Sequence, residues 1–212
     1  MKSARSVRIF TSISITTLAI SAISALAFGT VSASITKIDA FAGIDKRPDK
    51  KSSAINYLLV GSDTREGLTK AELKELRVGS VATAAGKRSD TMLLVHISKA
   101  RDKAVLVSIP RDTFALIPAH LNKAGKTIPA VHSKINSAFN WGGAPLLIQT
   151  IEEMTQLKID HYVEVNFAGF ASVIDSLGGI EVCTKKDIDD PKSHLVLPAG
   201  VHTLNGIEAL KY

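Results

Sequence analysis

Residues 87–113 read KRSDTMLLVHISKARDKAVLVSIPRDT, two apolar runs with charges at their outer ends: Arg88 and Asp90 before the first, Arg111 and Asp112 after the second. If TMLLVHI and AVLVSI pair antiparallel across the polar connection 98–103, Ile97 meets Ala104 and partner numbers sum to 201. Asp90 then falls opposite Arg111. A third apolar run, INYLLVG, is followed at once by Ser62, Asp63, Thr64 and Arg65. Joined to the same sheet in the right direction, it brings Asp63 and Arg65 to that end as well. Carboxylates beside guanidinium groups fit two roles. One is a set of exposed ion pairs closing a sheet edge, worth about 0–1 kcal/mol each. The other is a site for a divalent cation and phosphates, because carboxylates hold Mg²⁺ and Arg forks grip phosphate oxygens bidentately. Spacing alone leaves both open.

The elements that must position these charges alternate in type. GLTKAELKEL carries Thr69 and Glu72 at capping-box spacing with Leu73 and Leu76 on one face, which predicts a short helix. VGSVATAAGK reads as a loop of small residues. HSKINSAFNWGG reads as a turn or short helix closed by Gly142 and Gly143, and Pro145 opens a second helical stretch, PLLIQTIEEMTQL. HYVEVNF alternates as a strand, FAGFASVIDSL returns to helical spacing, Gly178 and Gly179 stop it, and IEVC is again a strand. Strands interleaved with helices predict an α/β or α+β sandwich. Asn205 N-caps a last helix that reaches Tyr212 after about two turns, too short to be stable alone. The spacing therefore predicts a domain cut short.

Of the 212 residues, 45% are hydrophobic, enough for one globular domain plus an anchor. Residues 9–36 carry no charge and exceed the roughly 20 needed to cross a bilayer. Lys2, Arg5 and Arg8 precede them, so the positive-inside bias places residues 1–8 in the cytoplasm and the rest outside. The segment reads as an uncleaved signal-anchor, with cleavage of a signal peptide near Val31-Ser32-Ala33 as the competing reading. The polar stretch 37–54, with Pro48, reads as a juxtamembrane linker, and 55–212 as the extracytoplasmic domain. Those three basic residues are part of the 26 in the chain; the other 23 face 20 acidic ones, a net of +3. With no helix-turn-helix or aromatic-basic strand pattern, nucleic acid is not an expected partner. A soft attraction to anionic lipid or polymer fits the charge. The single cysteine, Cys183, allows no internal disulfide and reads as a small buried strand residue. No zinc motif occurs.

NYLLVGSDTREG, GKRSDTMLLVHI, VLVSIPRDT, KINSAFNWGG, DHYVEVNFAGFASVIDSLGGIEV and LPAGVHTLNGIEALKY, in this order, resemble the LytR-CpsA-Psr family of cell-envelope proteins over roughly residues 55–212. The resemblance implies a central mixed β-sheet flanked by helices, behind one transmembrane helix. It implies a membrane-bound phosphotransferase that moves a glycopolymer from a polyprenyl-pyrophosphate lipid to peptidoglycan, with Mg²⁺ (or Mn²⁺) as cofactor. By motif, Asp63 and Asp90 match acidic positions near the metal and pyrophosphate, and Arg88 and Arg111 match phosphate-gripping arginines. Asp112 takes a supporting role, holding Arg111 or the metal's water shell. Arg65, Lys134 and Asn136 are further pyrophosphate-binding candidates. Phe167, Phe170, Val173 and Ile174 fit either ordinary core or the wall of a lipid tunnel.

The chain departs from the family pattern in having no arginine-rich segment after ALKY, from which weak or absent transferase activity is expected. It also has Val201 where actinobacterial members often carry a second cysteine. The alternatives are a module that binds pyrophosphate lipid or wall polymer without turnover, and a polyprenyl-pyrophosphate hydrolase. Transcriptional attenuation, the family's older description, finds no DNA-binding region here.

Overall fold

Alternation decides which side of the central sheet is buried. In the computed structural model, which describes residues 36–76, 89–122 and 124–212 (at Asp90 the backbone alone), strand β1 (Ile55–Ser62) buries every second residue: Asn56, Leu58, Val60 and Ser62. It pairs antiparallel with β2 (Ser89–Ile97), which pairs antiparallel with β3 (Ala104–Ile109). The β2–β3 register runs from Met92 opposite Ile109 to Ile97 opposite Ala104, the sum of 201 expected for the hairpin. Strand β8 (His161–Val165) lies parallel to the other side of β1, so the sheet has order β3-β2-β1-β8 and is mixed. The molecule is thus a mixed α/β fold around a central sheet.

One face of this sheet is covered by helix α2 (Asn136–Thr155). Leu58, Val60, Met92, Leu94 and Ile109 pack there against Phe139, Leu147, Ile148 and Ile151. Gly143 divides the helix, with φ 65° and ψ −153°, a backbone conformation that residues with a Cβ rarely adopt. Pro145 sits in the first turn after the break, where its missing N–H costs nothing. The opposite sheet face is only half covered: Leu106 is 64% exposed and Val163 41%. Small ribbons complete the sheet structure, β4 (Phe114–Ile117) with β7 (Val131–Lys134) and β5 (His120–Leu121) with β6 (Thr127–Ile128). Two further ribbons are β9 (Ile180–Thr184) with β12 (Gly200–Leu204) and β10 (Ile188–Asp190) with β11 (Leu195–Leu197).

The shorter helices start at side-chain caps. Thr69 and Glu72 form the capping box of α1 (Lys70–Glu75), and Asn166 caps α3 (Phe167–Ser176), which ends at Gly178 and Gly179 in left-handed conformations. Asn205 and Glu208 box the start of α4 (Gly206–Lys211). This last helix packs closely on α3. A Cβ at Gly206 would lie 2.3 Å from the Ala171 carbonyl oxygen, and Asp175 Oδ1 accepts the Gly206 N–H at 2.7 Å. Backbone cannot yield as a side-chain tip does. Gly206→Ala is therefore expected to destabilise the fold by about 1–3 kcal/mol through overpacking, read as a lowered unfolding midpoint.

The stretch after residue 39 packs onto the domain. Ala40 and Ala54 are buried, and Phe41 and Ile44 touch the core. Arg47 stacks over the Phe41 ring at 4.4 Å and donates from Nε and Nη2 to Glu152, which is 1% exposed in α2. Arg47 also donates to the Ile159 carbonyl, and the Ile159 N–H donates to Glu152 Oε1 at 2.7 Å. Beside this knot Lys50 pairs with Asp160 at 2.6 Å, and the Asn56 N–H donates to Asp160 at 2.9 Å. Partial burial of Asp160 opposes its ionisation, yet these two donors hold its carboxyl below the usual range. No helix among the described residues is long and apolar enough to cross a membrane. The expected cytoplasmic tail, residues 1–8, and nearly all of the apolar segment 9–36 lie outside them.

Cys183 differs from expectation. It is exposed, opposite Val201 in the β9–β12 ribbon, because only alternate residues of this ribbon, such as Thr184 and Leu204, turn inward.

Candidate functional site

The charged residues meet through topology. Because β2 runs against β1 and β3, the end of β1, the start of β2 and the end of β3 lie at one end of the sheet. The polar tetrad Ser62–Arg65 leaves there, with Asp63 and Arg65 half-buried. The register slips at this point: Gly61 pairs with Thr91 but Ser62 with Ser89, so Asp90 is the extra residue of a β-bulge. Bulges locally re-aim a strand and end regular pairing. The ladder to β3 stops at Ile109, because Pro110 has no N–H to give. Asp90 and Arg111 are thus neighbours in register without being a ladder pair. Arg88, the remaining arginine of the motif, lies outside the described residues.

Arg111 and Asp112 occupy a tight turn. The Thr113 N–H and hydroxyl both donate to the Pro110 carbonyl, at 2.9 and 2.7 Å. This turn is tied to the start of α2, where the Ile135 N–H donates to the Thr113 carbonyl and the Asn136 N–H to the Arg111 carbonyl, at 2.8 and 3.2 Å. Lys134, opposite Phe114 in the β4–β7 ladder, reaches across to Asp112 at 3.0 Å. The Lys134 hydrogen bond, reinforced by the charges of Lys134 and Arg111, holds the Asp112 carboxyl below the usual carboxylate range. Asp112 thus engages Lys134, and the KIN and PRDT motifs form one exposed unit. Asp63, Arg65 and Arg111 also make interactions of their own.

Two features here escaped the sequence reading. Asn166 does more than cap α3. Its Oδ1 accepts the Gly169 N–H at 2.7 Å while its Nδ2 donates to the Glu66 carbonyl at 3.0 Å, clasping the loop that carries Asp63 and Arg65. The expected strand HYVEVNF ran through Asn166 and hid the cap, and the clasp joins residues 100 positions apart and has no local signal. Asn166→Asp keeps the cap acceptor and loses the donor. It is expected to speed amide exchange across residues 63–68 about tenfold, the worth of one hydrogen bond, with the unfolding midpoint unchanged. The second feature is a set of hydroxyls under the loop: Ser62 and Thr64 share a hydrogen bond of 2.8 Å beside the fully buried Ser89.

The lipid-tunnel candidates divide, with Phe167 half-buried. Ile174 is buried, while Phe170 is 36% and Val173 54% exposed, on the outward side of α3.

The family model described as the LytR_cpsA_psr family matches residues 25–212, most of the sequence. The chain belongs to the LytR_cpsA_psr family. Among curated LytR_cpsA_psr relatives, a probable cell wall biosynthesis protein, LcpB of Corynebacterium glutamicum, is 36% identical over 76% of this chain and 36% of its own length. The polyisoprenyl-teichoic acid–peptidoglycan teichoic acid transferase TagT of Bacillus subtilis is 34% identical over 79% of this chain and 47% of its own. The structure of the family protein YwtF (TagT) with bound octaprenyl pyrophosphate lipid superposes with a TM-score of 0.56 at 29% identity, covering 84% of this chain and 59% of that one. The chain therefore spans about a third to a half of the length of these curated relatives.

Proposed function

We propose that the charged end of the sheet binds the pyrophosphate of a polyprenyl-linked glycopolymer and that the chain transfers the polymer to peptidoglycan outside the membrane. The reading is carried by one observation: Asp63, Arg65, Arg111 and Lys134 arrive, from three separated motifs, at one end of the sheet, where the β2 bulge also puts Asp90. Helix α3 begins at the same end, since Val165 pairs with Gly61, and its N-terminus favours negative charge. A relative that bears 34% identity is named a teichoic acid transferase, and a structural neighbour holds octaprenyl pyrophosphate.

The residues fit a magnesium ion. Mg²⁺ is commonly held by one or two carboxylates together with substrate phosphates, which Asp63 and Asp90 would supply; no group of three or more potential ligands gathers among the described residues. When bound, it neutralises charge on the pyrophosphate oxygens. Arg65, Arg111, Arg88 and Lys134 grip the non-bridging oxygens, with Asn136 beside Arg111 and Asp112 fixing Lys134. The acceptor hydroxyl oxygen attacks the phosphorus that carries the polymer. The bridging P–O bond breaks, polyprenyl monophosphate leaves, and a carboxylate of the Asp63–Asp90 pair takes the hydroxyl proton. Residues 9–36 anchor the chain in the cell membrane.

The test is product analysis with the full chain, a polyprenyl-pyrophosphate-linked saccharide, Mg²⁺ and peptidoglycan fragments. A saccharide joined to the fragment through one phosphate, with one polyprenyl monophosphate released, is the expected result. Release that proceeds equally without acceptor identifies a hydrolase, and binding without release a capture module; either overturns the transfer reading.

A further inference from the structure

The other end of the same sheet is also charged, and the proposed chemistry does not use it. Strand β1 begins there, about 23 Å from the pyrophosphate end at a strand rise of about 3.3 Å per residue. Three segments converge: 49–54 leads into β1, the turn 98–103 joins β2 to β3, and 156–160 leads into β8. Asn56 ties them, since its Nδ2 donates to the Lys158 carbonyl at 2.8 Å, its Oδ1 meets His96 Nδ1 at 2.7 Å, and its carbonyl accepts the Asp160 N–H at 2.8 Å. These segments hold six basic and three acidic residues. With the Lys50–Asp160 pair set aside, Lys51, Lys99, Arg101, Lys103 and Lys158 face only Asp49 and Asp102.

Three observations give this surface a partner. A cavity of about 60 Å³ opens among Asp49, Lys51, Ser52, His96 and Lys158, large enough to admit a phosphate group. Leu157, also on its rim, is 39% exposed, an apolar residue among cations. Arg101 occupies a left-handed backbone position, φ 63°, that Gly or Asn fills at less cost, so the turn carries an exposed cation where local geometry favours neither Arg nor Lys. Cations alone would suit a soluble polyanion. Cations around a phosphate-sized cavity with an exposed leucine suit an interface that is anionic at its surface and apolar beneath.

We propose that residues 49–54, 98–103 and 156–160 form a membrane-contact face that binds anionic phospholipid headgroups, with a headgroup phosphate seated between Lys51 and Lys158. The proposal rests on the anchor reading of residues 9–36, which keeps the domain at the bilayer. The face then fixes how the domain stands on the membrane. The knot of Arg47 with Glu152 supports this face, since Arg47 precedes Lys50 by three residues and also grips Ile159 beside Lys158.

The test uses the full chain in nanodiscs of phosphatidylcholine alone or with phosphatidylglycerol, read by amide hydrogen exchange. Each basic residue near an anionic leaflet is worth about fivefold in partitioning. Exchange at 49–54, 98–103 and 156–160 is expected to slow by about tenfold or more in the anionic discs, while the turn 110–113 stays unchanged. The Lys99→Glu, Arg101→Glu, Lys103→Glu variant, altered only at exposed turn positions, loses the effect. Equal exchange in the two discs, or an effect that survives this variant, overturns the proposal. Equal slowing in neutral discs by inorganic phosphate or a soluble polyglycerol phosphate overturns the assignment to lipid. Release of the chain from both discs on washing overturns the anchor reading instead; capture of that released chain by anionic but not neutral vesicles still reads the face.

Discussion

Arg111→Ala lowers the turnover of a polyprenyl-pyrophosphate donor about 10²- to 10³-fold, the usual loss when one donor aimed at developing oxyanion charge is removed. The side chain is exposed, and the turn from Pro110 to Thr113 is held by backbone bonds: it closes through Thr113, and the Arg111 carbonyl accepts the Asn136 N–H. Truncation to Ala therefore leaves the turn in place, and the unfolding midpoint is expected to stay where it was. Arg111→Lys recovers little, because an ammonium is a point charge without the planar fork that meets two phosphate oxygens. A full loss accompanied by a lowered midpoint would point to a structural role; unchanged turnover in Arg111→Ala would remove the residue from the site.

Arg47→Ala destabilises the fold by about 3–5 kcal/mol, the range for breaking a buried ion pair from one side. Glu152 is almost fully buried in α2 and keeps only the Ile159 N–H once the guanidinium is gone. A carboxylate stranded there has lost its water and its counter-charge together. The double variant Arg47→Met, Glu152→Gln removes both charges, retains an acceptor for the Ile159 N–H and fills similar volume. It is expected to regain most of the loss, as replaced buried pairs commonly do. Denaturant unfolding of Arg47→Met, Glu152→Gln and the double variant closes the cycle. A single-variant cost below about 1 kcal/mol, the scale of exposed pairs, would mean that the knot does not hold the segment 40–54 on the domain.

That knot also marks where sequence reading stops. The β2–β3 register was legible from the polar connection 98–103, which lets Ile97 meet Ala104 as the first pair; burial did not fix it, since β3 is exposed at every position but Ile109. The caps at Thr69 and Asn205 and the break at Gly143 were legible because each is a local backbone demand met by a specific residue type; the cap at Asn166 was not, since alternation ran the strand HYVEVNF through it. The packing of 40–54 was not. Its polar, Pro-containing sequence has no apolar period, and what holds it is a charge pair 105 residues away in sequence. The same distance effect hid the Asn166 clasp and the Lys134–Asp112 bridge, each joining residues that only the tertiary fold makes neighbours. Cys183 was misjudged because a cysteine's usual burial says nothing about which face of a two-stranded ribbon it occupies. At the candidate site, residue types and strand order were enough to gather Asp63, Arg65, Asp90 and Arg111 at one end; the bulge at Asp90 was not readable, since bulges follow from pairing between strands.

The most direct test of the pyrophosphate reading is a crystal structure of the chain soaked with a short prenyl pyrophosphate and Mg²⁺. The expected result is a pair of phosphates at the end of β1 and β3, with Arg65 and Arg111 donating to their oxygens at about 2.7–2.9 Å and the Asp63 carboxylate toward the metal. Phosphates bound elsewhere, with Arg65 and Arg111 making no contact to them, would contradict the account.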